Sequence, residues 1–90
     1  MKPAESARAK ARAAERGPAK RISNYAWTRV EIAIRRGLMP KPDSLVCVDC
    51  SAPAETYDHR FYSRPLEVEP VCRSCNKKRG SAYDLEMLAA

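Results

Sequence analysis

Two pairs of cysteines, Cys47-x-x-Cys50 and Cys72-x-x-Cys75, stand twenty-one residues apart in a chain of 90. Four thiolates satisfy a tetrahedral zinc ion completely, and each pair can grip it from one tight turn. The intervening length is enough for a hairpin that returns the chain to the same ion. Two disulfides or an iron–sulfur centre are the other uses of four cysteines. The spacing favours structural zinc, which contributes roughly 10–16 kcal/mol in small fingers. A site closed by four sulfurs has no open position, so such an ion holds structure and does no chemistry itself.

A second constellation lies between and just after these pairs. The only histidine, His59, follows Asp58 directly, and Asn76 follows Cys75 without a spacer. A carboxylate and an amide oxygen are hard ligands that, with waters, suit Mg2+ or Mn2+. An adjacent imidazole could take a proton from an attacking water, and the cation could stabilise charge on a phosphate and its leaving oxygen. Arg60, Lys77, Lys78 and Arg79 could hold neighbouring phosphates. The same residues also fit a plainer role, with His59 as a hydrogen-bonded surface residue and Asn76 as a helix or turn stabiliser.

The charge is placed unevenly. Residues 1–21 hold seven Lys/Arg against two Glu, whereas residues 46–90 hold six against seven Asp/Glu, within a whole-chain net charge of +6. Positive excess in an arm attracts polyanions, most simply nucleic acid, although a solubilising tail has the same composition. No apolar run is long enough to span a membrane or to serve as a signal peptide, which points to a cytoplasmic setting where paired cysteines hold metal rather than each other. Ninety residues allow one small domain that needs a staple.

The elements that must position these residues can be read in order. Residues 1–21 read as a basic arm, flexible or transiently helical, too rich in Ala, Lys and Arg to bury a face, and Gly17-Pro18 is expected to end any helix within it. Residues 22–39 read as an amphipathic helix capped by Ser23 or Asn24. Trp27, Val30 and Ile34 share its apolar face beside Ala26 and Ala33; Gly37 follows as C-terminal cap, and Pro40 and Pro42 forbid continuation. That face is expected to pack on the cysteine module, with Trp27 as a base-stacking platform the other use. Residues 45–80 make the module: a knuckle, a strand over Glu55–His59, a loop, an alternating strand over Leu66–Val71 confined to an edge by Pro70, then a helix from Cys72 to Gly80. Phe61, Tyr62 and Leu66 are expected to fill a small core around the ion, with Tyr62 or Arg64 at the loop tip as possible DNA contacts. Residues 81–90 read as a short helix or tail capped by Ser81, with Leu85 and Leu88 inward.

The stretch "CVDC … YDHRFYSRPLEVEPVCRSCN" resembles small phage and prophage members of the HNH (His-Me finger, ββα-metal) group, and the likeness runs from about Trp27 to Gly80. It implies a small α+β fold, a zinc-stapled treble clef of knuckle, β-hairpin and helix. In the subgroup similar to phage junction-resolving endonucleases, an Asp-His pair ends the first hairpin strand and an Asn follows the second cysteine pair. Asp58, His59 and Asn76 match those places. The resemblance therefore implies Asp58 and Asn76 as divalent-metal ligands, His59 as general base, and a metal-dependent DNA endonuclease in a bacterial host's cytoplasm. Glu67 stands where many such proteins carry an Asn that orients the base. The alternatives are a non-catalytic zinc module that binds DNA or RNA, and one that docks a host or phage protein partner.

Overall fold

The computed structural model describes residues 17–90, in an α+β arrangement of three helices, one 3-10 turn and one two-stranded antiparallel sheet. Helix α1 spans Gly17–Arg35, so it starts and stops ahead of the limits expected from residues 22–39. Pro18 falls in its first turn, where a missing N–H costs nothing and the fixed φ suits a helix. Gly17-Pro18 thus opens a helix. Ser23 and Asn24 are inside it rather than at its cap, and the Asn24 carbonyl accepts from the Thr28 hydroxyl at 2.7 Å. Of the basic arm expected over 1–21, residues 1–16 lie outside the described residues and 17–21 belong to α1.

The buried line of α1 is Ala26, Val30 and Ala33, while Trp27 and Ile34 flank it half-exposed. The small residues let the backbone approach its neighbours, and the larger ones close the sides. The helix ends as expected at Gly37, whose φ of +74° suits a residue without Cβ. Gly37 N–H donates to the Ile34 carbonyl at 3.0 Å and Leu38 N–H to the Ala33 carbonyl at 2.9 Å, the paired bonds of a Schellman stop.

A 3-10 turn over Pro42–Ser44 leads to the first cysteine knuckle. Strand β1 covers Thr56–His59 and strand β2 covers Val68–Val71, paired Thr56↔Val71, Tyr57↔Pro70, Asp58↔Glu69 and His59↔Val68. In a two-stranded sheet both strands are edges, so Pro70 is tolerated. Its carbonyl accepts from Val48 N–H at 3.0 Å and ties the knuckle to the hairpin. The Tyr57 hydroxyl donates to the Pro40 carbonyl at 2.6 Å and fixes the linker from α1. Helix α2, Arg73–Arg79, is capped by Cys72 and stopped by Gly80 at φ +71°. Helix α3, Leu85–Ala89, packs on α1. Its N-cap is Asp84 rather than Ser81; Leu85 is half-buried, and Leu88 is exposed rather than inward.

The tightest cluster is Cys47, Val71 and Cys75, with Cys72 packed against it. Phe61 and Leu66 are exposed and take no part in it; Tyr62 is half-buried elsewhere. With so few residues, sulfur atoms and one valine fill the space that larger side chains were expected to occupy. Among the described residues no helix is long and apolar enough to cross a membrane.

Candidate metal centre and nucleic-acid interface

The first knuckle is built by its backbone. Cys47 N–H donates to the Ala52 carbonyl at 2.7 Å and Ser51 N–H to the Cys47 carbonyl at 2.9 Å, with Ser51 at φ 65° closing the turn. The second knuckle is the start of α2, where the Cys72 sulfur accepts from Cys75 N–H at 3.5 Å. Glu55 accepts from Arg73 N–H at 2.7 Å and secures the same helix end. The two turns bring Cys47, Cys50, Cys72 and Cys75 together with all four Sγ atoms within 4.8 Å of one another.

This geometry fits a metal. Sulfurs placed about 2.3 Å from a tetrahedral zinc would stand about 3.8 Å apart, and Cys50 Sγ and Cys72 Sγ are 3.7 Å apart. That distance is longer than an S–S bond, and all four cysteines are free thiols in this structure. The thiols are also unequal. Burial raises Cys47, but backbone groups of Cys72, Asp49 and Cys50 more than offset it and bring Cys47 to about 6. Hydrogen bonds with the thiols of Cys72 and Cys50, and burial, push Cys75 up to about 12. Four sulfurs this close cannot all ionise alone; a cation at their centre would let them do so. Cys47, Cys50, Cys72 and Cys75 would hold zinc.

The second constellation is arranged differently from expectation. Asp58 and His59 point to opposite faces of β1, as strand alternation requires. Asp58 is buried, and its carboxylate is gripped by two arginines. Arg60 donates from Nε at 2.6 Å and from Nη2 at 3.1 Å, and Arg79 donates from Nη1 at 2.9 Å. Asn76 donates its backbone N–H to the Cys72 carbonyl at 2.9 Å, and no hydrogen bond joins its side chain to Asp58. Three guanidinium hydrogen bonds take most of the carboxylate's acceptor positions, so a Mg2+ or Mn2+ ion at Asp58 and Asn76 would have to compete with Arg60 and Arg79.

His59 is buried on the other face, against Trp27 at 5.3 Å and Tyr62 at 5.5 Å between ring centroids. Its Nε2 lies 2.8 Å from the Pro65 carbonyl, which can only accept, so Nε2 carries the proton. That leaves Nδ1 as a free acceptor, buried and without a partner among the described residues. The backbone of Pro65 thus orients the ring. Glu67 is exposed and pairs with Arg64 at 3.4 Å.

Sequence reading missed a hub. Arg79 was expected to face phosphate, yet it is bidentate to Asp49 at 2.7 Å on both arms, and reaches Glu69 at 3.0 Å besides Asp58. Hydrogen bonding to Asp49 leads the effects that hold its guanidinium well above its ordinary pKa, and the same contact holds the Asp49 carboxyl below its own. Its only sequence signal was a position four residues after Cys75, on the same face of α2. Asp84 was also missed. It is the N-cap of α3, and its side chain accepts from Tyr62 N–H at 2.8 Å, Ser63 N–H at 3.0 Å and the Ser63 hydroxyl at 2.8 Å, and so pins the loop after His59. Lys77 and Lys78 are exposed and in no ion pair among the described residues.

Comparison with protein-family models, with curated proteins and with solved structures finds no match to this chain.

Proposed function

We propose that this chain is a zinc-stapled nucleic-acid-binding protein, with its knuckle, hairpin and helix in the treble-clef order of HNH proteins. The division of its basic side chains carries this reading. Twelve Lys/Arg lie among the described residues, and ion pairs engage only Arg60, Arg64 and Arg79. The other nine are exposed, including Arg29, Arg35 and Arg36 on α1 and Lys77 and Lys78 on α2. Cations kept in water and unpaired by the fold's own carboxylates suit a polyanion. The affinity for a DNA duplex should fall with salt, with a log–log slope of about −0.9 per phosphate contact, and Lys77→Ala/Lys78→Ala should flatten it. Binding that ignores salt, or no binding at low salt, rules the reading out.

Within that reading, endonuclease chemistry is the more specific possibility, and the state of His59 favours it. An imidazole with one nitrogen protonated by a fixed backbone contact offers the other as a base of set tautomer. His59 would take the proton from an attacking water at Nδ1, once the cover of Trp27 and Tyr62 moved aside. The hold of Arg60 and Arg79 on Asp58 favours binding without chemistry. Supercoiled plasmid incubated with Mg2+ or Mn2+ separates the two. Nicking lost in His59→Ala supports the nuclease; equal nicking by both proteins signals a contaminant, and no nicking leaves the binding module.

A further inference from the structure

We propose that the guanidiniums of Arg60 and Arg79 form a seat for one backbone phosphate of the nucleic acid, and that the Asp58 carboxylate fills this seat in the free protein. The inference rests on the nucleic-acid reading above and adds to it where, and against what competitor, a phosphate binds.

The donors match a phosphodiester. Two nitrogens of Arg60 and one of Arg79 converge on two oxygens borne by one atom, the pattern that the two non-bridging oxygens of a phosphate would also present. Both guanidiniums are held in place by other groups. Arg60 also donates to the Gly80 carbonyl at 2.8 Å and the Arg79 carbonyl at 3.3 Å, and Arg79 is locked by Asp49. Removal of Asp58 would leave the donors aimed at the same point. Among the described residues the Asp58 carboxylate has no hydrogen-bond partner other than these arginines. A cavity of about 690 Å³ opens on the trio, walled on its apolar side by Phe61 and Tyr83.

The cost is equally visible. Asp49 and Glu69 share Arg79, and Glu67 also lines the cavity, so a phosphate gains the seat by exchange with one carboxylate rather than by attraction to an open basic pocket. The seat is therefore a gate on affinity. Binding must expel Asp58, and freeing Asp58 is what any later use of that carboxylate would require.

The test uses the zinc-loaded full chain without added divalent cation and a short fluorescein-labelled DNA duplex read by anisotropy. Asp58→Asn should bind about tenfold more tightly than the native chain, because the competing charge is gone from two preorganised guanidiniums. Glu67→Gln removes the same charge from the same cavity but not from the seat, and should change affinity by less than about twofold. Adding Arg60→Gln to Asp58→Asn should cancel the gain. Equal gains in Asp58→Asn and Glu67→Gln overturn the seat and leave the nucleic-acid reading standing. No binding by any of these proteins overturns both. Should Asp58→Asn fail to fold, the Arg60 Nε–H resonance of the native chain decides. It should shift when duplex is added, and a fixed Arg60 signal amid shifting backbone amides rejects the seat.

Discussion

Helix α2 carries two cross-links one turn apart, and they are made of different physics. At Cys75 it joins the sulfur cluster, which links the knuckle at Cys47 and Cys50 to the helix start. At Arg79 it joins a charge cluster, which links Asp49 of the same knuckle, Asp58 of β1 and Glu69 of β2. The sulfurs could be joined by one ion, without which four adjacent thiols resist ionising side by side. The arginine brings its own charge and binds three carboxylates without outside help. One end of the helix therefore carries a group that could take up a metal ion. The other depends on a guanidinium fork that can serve several acceptors at once.

The largest expected effect breaks the sulfur side. Chelation of the zinc, or Cys47→Ser, should abolish the cooperative thermal transition seen by circular dichroism. The arginine hub cannot compensate, because the core around Val71 is built from the same cysteines. A melt unchanged by chelator would mean that metal does not hold this fold.

Next is the arginine side. Arg79→Met in the zinc-loaded protein should cost about 2–3 kcal/mol in urea unfolding, because buried Asp58 loses a charged donor. Lys78→Met, one residue away and exposed, should stay within about 0.5 kcal/mol. Equal costs at the two positions would demote the hub to a surface ion pair.

Acid sharpens the contrast between carboxylates held by arginine and a buried one held mainly by backbone. At Asp84, burial raises the carboxyl, but the N–H and hydroxyl of Ser63 and the N–H of Tyr62 outweigh it, and the pKa falls below its ordinary 3.8. The folded chain then takes up this proton at lower pH than the unfolded chain. The contribution is complete above the unfolded value and fades as pH drops through the folded one. Asp84→Asn should lower stability at neutral pH by about 1–2 kcal/mol and lessen the further loss below about pH 4. An unaltered acid limb would place the sensitivity elsewhere. The smallest effect is expected at Glu69→Gln, about 0.5 kcal/mol, since that carboxylate is half-exposed and is one of three on Arg79. A larger loss would make the β2 contact the true anchor.

Much of the backbone was legible before any coordinates. The Schellman stop at Gly37, the strand ending at His59 and the helix bounded by Cys72 and Gly80 follow from local rules of glycine, proline and alternation. The metal-ligating set was legible for a related reason, because a Cys-x-x-Cys turn fixes two sulfurs by chain geometry alone. Local signals also misled. A helix expected to be capped by Ser23 or Asn24 begins at Gly17, and Ser81 was read as the cap of a helix whose N-cap is Asp84.

What the sequence by itself determined is thus the set of short-range facts: which turns can close, where helices halt, and that four thiols have the spacing for one ion. Only the tertiary structure decided which charged groups meet. Arg79 finds Asp49 across thirty residues and Asp58 across twenty-one, and His59 finds the Pro65 backbone where a side chain was sought. Such pairings depend on how hairpin, knuckle and helix are stacked in space, and ionic attraction leaves no periodic trace along the chain from which to read it.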